Sequence, residues 1–133
     1  EIESKIEKNK LQNHIILQGF SENIPVFMDS IHVFLLTSKW EGFGFVLAEA
    51  MLRKKPIIAW DSSSNSELVK HGENGYLATP YNIKEFAEYI LKLKDDQEKR
   101  IKFGDYGYKF VSEHFSMEKS VEQLSNFLTL GKS

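Results

Sequence analysis

The stretch from Thr37 to Met51 holds the residues whose types and spacing are best suited to chemistry. Two glycines, Gly42 and Gly44, flank one aromatic residue, so the backbone there can bend sharply and approach a ligand closely. The stretch follows an apolar run and opens a helical pattern, and the first amides of a helix have no internal acceptor. Together with the helix dipole, the amides near residues 45–47 form a predicted site for a phosphate or diphosphate.

Two carboxylates, Glu41 and Glu49, bracket this predicted anion site. Glu41 lies in the loop, whereas Glu49 lies about one turn inside the helix, ~6 Å along its axis, and leans back toward the helix N-terminus. A carboxylate repels a bare phosphate but accepts hydrogen bonds from neutral hydroxyls. The arrangement therefore predicts a nucleotide sugar, with one glutamate for each polyol and the helix end for the diphosphate.

The elements that must position these residues alternate along the chain. Four short runs are apolar on successive residues, which is typical of parallel strands covered by helices on both faces: residues 15–17, 33–36, 56–60 and 76–78. Helical patterns lie between and after them, at residues 21–29, 45–53, 82–94 and 116–128. In the third of these, we expect Ile83, Phe86, Ala87 and Ile90 to face inward. This alternation predicts an open parallel α/β sheet, in which ligands bind beyond the carboxyl ends of the strands.

Three loops follow predicted strands and are therefore the places to expect a ligand: residues 19–23, 37–44 and 61–66.

Composition excludes several classes of protein. The chain has 133 residues and a net charge of -2, so it has no overall basic footprint for nucleic acid. It contains no cysteine, which excludes disulfides, thiolate metal sites and a cysteine nucleophile. No apolar run approaches the ~20 residues that a membrane span needs. The chain begins with Glu rather than Met, and we expect it to be a piece of something longer, containing a single domain over 1–133.

The motif around Glu41 and Glu49, with seven residues between the two glutamates, resembles the signature of family-4 retaining glycosyltransferases of the GT-B fold. The resemblance continues through further segments in the family's order, covering nearly the whole chain: residues 13–20, 56–59, 67–69, 72–77 and 115–116. It implies one Rossmann-like half of a GT-B enzyme, the donor-binding C-terminal domain, truncated at its N-terminus. The N-terminal acceptor domain, and upstream Arg and Lys residues that neutralise the diphosphate, would then lie outside this chain.

The resemblance also implies roles for individual residues. Glu41 would hold hydroxyls of the donor sugar as the catalytic residue, and Glu49 would hold the ribose. The backbone at the loop and helix start would face the sugar and diphosphate, through Gly42, Phe43, Gly44, Phe45, Val46 and Leu47. The base would be bordered by Gly19, Phe20 and Ser21. Members transfer a hexose from a nucleoside diphosphate sugar with retention and generally need no metal, so no metal or other cofactor is expected.

Two positions depart from the family's pattern. The family usually has two glycines in the third loop, where this chain has Ser63 and Ser64, although a serine can cap the helix that follows. Family members often have Gly where Lys54 stands. A lysine at positive φ there would cost ~1 kcal/mol or more, which leaves a different turn as the alternative.

The resemblance implies a glycan or lipid-linked glycan as acceptor, bound by the missing domain, and a cytoplasmic location. Because many such transferases act on lipid-linked acceptors, the basic run Arg53, Lys54 and Lys55 leaves open a peripheral contact with the inner face of a membrane. We expect the fragment to be inactive alone.

Two other readings stay open at this point. One is another GT-B enzyme, a sugar phosphorylase or a sugar-nucleotide epimerase. The other is a flavodoxin-like signalling module, which would need an acidic cluster beyond its first strand; the chain offers only Asp61, after the third predicted strand. The base of the donor, uridine, guanosine or adenosine, is likewise open.

Overall fold

The computed structural model describes residues 1–19, 23–38 and 44–114. Within these ranges the chain alternates helices with three short strands. The strands are β1 (Phe34–Leu36), β2 (Ile57–Trp60) and β3 (Gly75–Ala78). The helices are α1 (Ile2–Lys8), α2 (Ile24–Ser30), α3 (Gly44–Leu52), α4 (Ser63–Leu68), α5 (Ile83–Lys94) and α6 (Gln97–His114). The expected fold class, a parallel α/β sheet flanked by helices, is confirmed.

The sheet has the order β1-β2-β3, and both pairs of strands are parallel. β2 lies in the middle, with Ile57 opposite Phe34 on one side and Gly75 on the other. All four residues of β2 are buried, which is why this strand reads as a continuous apolar run.

The core has two layers, one on each face of the sheet. Successive side chains of β2 alternate between them: Ile57 and Ala59 pack with α2, α3 and α4, whereas Ile58 and Trp60 pack with α5 and the start of α6. On the first face, α3 buries Leu47, Ala50 and Met51 completely. These side chains fix α3 on this face of the sheet.

The prediction of a strand at residues 15–17 is wrong, because these residues join no sheet in the described part of the chain. Ile15, Ile16 and Leu17 are all exposed, with Ile16 at 80%. A run of three apolar residues needs a neighbouring strand for its backbone hydrogen bonds, and β1 does not supply one.

The inward stripe of α5 is also displaced from the expected one. Phe86 is buried and Ile90 is partly buried, but Ile83 is 77% exposed and Ala87 is exposed as well. The helix instead turns Tyr89 and Leu93 inward beside Phe86, because these residues meet the aromatic side chains of β3 and α6.

The loop expected at residues 61–66 is shorter than predicted, because helix α4 already begins at Ser63. Ser62 is the N-cap of α4, and its hydroxyl accepts a hydrogen bond from the Asn65 amide at 3.3 Å. The loop is therefore only two residues long, and Ser63 and Ser64, which stand at the family's two glycine positions, form the first turn of α4.

The prediction of a different turn after α3 is wrong, because Lys54 adopts a positive φ of 59°. The Lys54 amide donates to the Met51 carbonyl and the Lys55 amide donates to the Ala50 carbonyl, each at 3.0 Å. These two bonds form the Schellman motif that ends many helices, with lysine in the place that glycine favours. Helix α6 packs directly on this turn: a Cβ on Gly104 would lie 2.2 Å from the Lys54 carbonyl oxygen.

Helix α6 has no counterpart among the predicted helices. Its buried positions are Phe103, Gly104, Gly107 and Val111, and its exposed positions mix charged residues with Ile101, Tyr106 and Tyr108. The helix expected at residues 116–128 lies outside the described residues. No helix in the described part of the chain is long and apolar enough to cross a membrane.

Candidate donor-binding site

The carboxyl ends of the three strands lie at one edge of the sheet, because both pairs are parallel. Two hydrogen bonds join the strands there. The Trp60 indole Nε1 donates to the Thr37 carbonyl at 3.1 Å, and the Asp61 amide donates to the Ala78 carbonyl at 2.7 Å. These bonds hold the starts of the loops that follow the strands, and they define the carboxyl edge as a rigid platform.

Helix α3 begins at this edge with Gly44. Gly44 and Leu47 are buried, Val46 is half-buried, and the Phe45 side chain is 44% exposed. Because Leu47 is fixed in the core, the first turn of the helix has a defined position on the sheet. The start of a helix is favourable for an anion, and this helix start lies at the carboxyl edge of the sheet.

Glu49 follows about one turn later and faces α2. Its side chain lines a cleft of about 380 Å³ together with Ile24, Pro25 and Met28 from α2, and Leu52 and Arg53 from the end of α3. The carboxylate is therefore placed beside the anion site rather than on it. This is the placement that hydroxyls flanking a phosphate require.

The Glu49 carboxylate has neither a hydrogen bond nor an ion pair with any residue that the structure describes. The cation spaced to reach it, Arg53 at i+4, instead pairs with Asp29 of α2 at 3.4 Å. Partial burial raises the pKa of the Glu49 carboxyl, because desolvation disfavours its charged form. A half-buried carboxylate without a partner is suited to accept hydrogen bonds from a ligand.

Gly19 and Asn23 are the two described residues of the predicted loop at residues 19–23. Gly19 has a φ of +70°, a conformation that glycine adopts without strain. Asn23 caps α2, with its Oδ1 accepting from the Val26 amide at 3.2 Å. Ile24 and Pro25, at the start of α2, form part of the wall of the Glu49 cleft.

The structure brings together part of the predicted site. Gly44, Phe45, Val46, Leu47 and Glu49 share one helix end, and Gly19 leads into the neighbouring helix. The other predicted residues lie outside the described part of the chain: Phe20, Ser21, Glu41, Gly42 and Phe43. Sequence reasoning missed the α2 wall and Arg53. The i+4 spacing from Glu49 to Arg53 was the available signal.

A depression of about 770 Å³ lies elsewhere. It runs along α6 and the amino end of β3, where Tyr76 and Phe103 form part of its lining. Acidic and basic side chains alternate around it: Glu73, Asp96, Glu98, Lys99, Lys102, Asp105 and Lys109. Its mixed charge and its position away from the strands' carboxyl ends do not match a site for a nucleotide sugar.

Comparison with known proteins places the chain in a class. The crystal structure of an Anabaena protein, Alr3699/HepE in complex with UDP-glucose, superimposes with a TM-score of 0.84 at 31% identity, covering 96% of this chain and 35% of that one. A mutant of Staphylococcus aureus TarM, in complex with fondaparinux, alpha-GlcNAc-glycerol and UDP, superimposes with a TM-score of 0.85 at 28% identity, covering 96% and 26%. The fold is therefore that of one part of a GT-B glycosyltransferase.

The sequence comparisons identify the family. A model of the family described as "Glycosyl transferases group 1" matches residues 1–110. The poly(glycerol-phosphate) alpha-glucosyltransferase of Bacillus subtilis is 31% identical over 122 residues, which is 91% of this chain and 18% of that protein. The chain belongs to the glycosyl transferases group 1. It spans between about a fifth and about a third of the length of these relatives. This membership favours the glycosyltransferase interpretation over a signalling module.

Proposed function

We propose that this chain is the nucleotide-sugar donor-binding part of a glycosyltransferase that transfers a hexose to an acceptor with retention. The observation that carries the proposal is the position of Glu49. Its carboxylate has no partner among the described residues and lies in a cleft, one turn inside a helix that begins at the carboxyl edge of the sheet. A nucleotide sugar has hydroxyls on both sides of a diphosphate. Its diphosphate matches the helix start, and its hydroxyls match the neighbouring carboxylate.

In this proposal the diphosphate lies at the start of α3, against the backbone of Phe45, Val46 and Leu47. The helix dipole stabilises an anion there by about 0.3–1 kcal/mol when exposed and up to about 2 kcal/mol when partly buried. Glu49 accepts hydrogen bonds from the ribose hydroxyls, and the α2 wall of the cleft carries the approach to the base.

The remaining assignments rest on the motif. Glu41 binds hydroxyls of the hexose and is the proposed catalytic residue, while the backbone of Gly42, Phe43 and Gly44 faces the sugar. Gly19, Phe20 and Ser21 border the base. We propose that transfer needs no metal.

The solved neighbours include complexes with UDP and with UDP-glucose, so a UDP-hexose is the first donor to test. The acceptor, a glycan or a lipid-linked glycan, would be bound by a part of the enzyme that this chain does not contain. We propose a cytoplasmic location with peripheral contact at the inner face of the membrane, and a fragment that binds donor without transferring it.

Calorimetric titration of the chain with UDP, GDP, ADP and uridine tests the donor site. We expect one nucleoside diphosphate to bind at one site, and uridine to bind much more weakly because it lacks the diphosphate. Absence of binding by all three diphosphates would contradict the proposal. A transfer assay with UDP-glucose and a glycan acceptor then tests the second claim, since product formed by the fragment alone would show that the upstream part is dispensable.

A further inference from the structure

A second cleft, of about 160 Å³, lies at the amino edge of the sheet, at the opposite end of α3 from the candidate donor site. We call it the amino-edge cleft. Among the described residues, its lining contains basic side chains and no carboxylate. The basic residues are His32, Lys54, Lys55 and Arg100, and the rest of the lining is Pro56, Gln97 and Ile101. In a chain whose net charge is -2, such a local excess of positive charge calls for a physical explanation.

The backbone around this cleft is fixed by three elements. The Phe34 amide donates to the Pro56 carbonyl at 2.9 Å, which ties the amino ends of β1 and β2 together. The Schellman turn after α3 presents Lys54 and Lys55, and the close approach of Gly104 holds α6 on that turn. The cationic side chains are therefore gathered by packed backbone and not by flexible loops.

Two of the cations are available to a ligand. The Lys54 ammonium is engaged, 3.7 Å from Asp105 and 5.2 Å from the centre of the Tyr108 ring. Lys55 is half-buried and has no ion pair or side-chain hydrogen bond with any residue the structure describes. Arg100 donates through Nη1 to the carbonyls of Leu93 and Lys94, which leaves its Nε and Nη2 protons for another acceptor.

We propose that the amino-edge cleft binds a phosphate group, with Lys55 and Arg100 as its charged donors and His32 at its rim. Guanidinium and ammonium groups form short, charge-assisted hydrogen bonds to phosphate oxygens. The buried ring of Pro56 forms the apolar floor beside these donors. The phosphate could be that of a free phosphate compound or that of an anionic lipid headgroup, and the chemistry of recognition is the same.

This site is independent of the proposed donor site. Helix α3 separates the two, since Gly44 lies at one end and Lys54 follows the other, ten residues or about 15 Å along the helix direction. A phosphate bound at the start of α3 would perturb the amides of residues 44–47. A phosphate in the amino-edge cleft would perturb those of residues 32, 55 and 97–101.

The test is a titration of the isotopically labelled chain with inorganic phosphate, followed by NMR at each amide. We expect saturable shifts at His32, Lys55 and Arg100. Lys55→Ala should weaken this binding by about fivefold or more. The control is Lys84→Ala, which removes the same charge from an exposed position on α5 and should leave the affinity unchanged.

A second arm identifies the source of the phosphate. The chain is sedimented with vesicles of phosphatidylglycerol and with vesicles of phosphatidylcholine. Binding to the anionic vesicles that Lys55→Ala reduces and Lys84→Ala does not would identify a lipid headgroup, whereas phosphate binding without vesicle binding would identify a free phosphate compound. The proposal is overturned if residues 32, 55 and 97–101 show no saturable shift, or if Lys84→Ala reduces the affinity as much as Lys55→Ala.

Discussion

At the carboxyl edge of the sheet, α3 begins beside Glu49, a carboxylate that pairs with no described residue. At the amino edge, the described residues that line a small cleft include basic side chains and no carboxylate. Both arrangements suit a phosphate. They differ in what they accept next to it, because Glu49 can bind hydroxyls and the amino-edge cations cannot. Phosphate binding alone therefore does not distinguish the two edges of the sheet. Binding of ligand hydroxyls does, because, among the described residues that line the two clefts, only Glu49 at the carboxyl edge has a carboxylate to accept their hydrogen bonds.

The largest expected effect comes from Gly104→Ala, which breaks the amino edge alone. The added Cβ would lie 2.2 Å from the Lys54 carbonyl oxygen, so α6 must move away from the turn. We expect a loss of about 3 kcal/mol in the free energy of unfolding, measured by urea denaturation.

Gly107→Ala is the matched control for this change, on the same helix. Its Cβ would meet the flexible Met51 side chain at 3.2 Å, and alanine favours the helix by about 1 kcal/mol over glycine. We expect a net change near zero. Equal losses for both substitutions would show that the contact between α6 and the turn is not specific.

Glu49→Ala tests the carboxyl edge in the complete enzyme. Hydrogen bonds to a charged group contribute about 1–3 kcal/mol, so the donor should bind about 5- to 150-fold more weakly by calorimetry. Glu88→Ala removes an exposed carboxylate from α5 and should leave the donor affinity unchanged. Unchanged affinity in Glu49→Ala would remove the ribose assignment.

The elements that the sequence predicts correctly are those whose own residues carry the signal. The strand β2 reads as a continuous apolar run because both of its faces are buried, and α3 shows its inner face at Leu47, Ala50 and Met51. For the same reason the start of α3 and Glu49 could be predicted from the glycine pattern and the spacing of carboxylates. Their local arrangement needs no knowledge of distant residues.

The features that the sequence missed depend on partners elsewhere in the chain. Residues 15–17 resemble a strand, yet their apolar side chains have no strand beside them. Helix α6 is concealed because it packs through Gly104 and Gly107, which are poor helix formers and leave no apolar stripe. The amino-edge cleft was therefore not predicted, since Arg100 reaches it only when α6 packs on the turn at Lys54.

Lys54→Gly tests the strain of the turn after α3, at the amino edge of the sheet. Glycine adopts the positive φ of this position without strain, and the exposed ion pair with Asp105 contributes little. The substitution should raise the free energy of unfolding by about 1 kcal/mol, measured by thermal denaturation. A loss of stability would instead assign a structural role to the Lys54 side chain.

The smallest effect is a pH dependence at Glu49. Burial raises the pKa of this carboxyl above its ordinary value of 4.5, so the folded chain holds the proton more tightly than the unfolded chain does. The resulting stabilisation is present below that value and is lost as the pH rises through the folded pKa. Urea denaturation at a series of pH values from 4.5 upward should therefore show the free energy of unfolding falling as the pH rises. This contribution should be absent in Glu49→Gln. Identical slopes in the two proteins would contradict the desolvation of Glu49.

The most direct test of the account is to map UDP binding on the chain by NMR, because UDP carries both the diphosphate and the ribose hydroxyls. We predict shifts at residues 44–49 and at Gly19. We also predict that UDP binds more weakly to Glu49→Ala than to the unchanged chain. Shifts confined to Lys55 and Arg100, at the same affinity as inorganic phosphate, would contradict it. They would place nucleotide binding at the amino edge and leave the carboxyl edge without its proposed ligand.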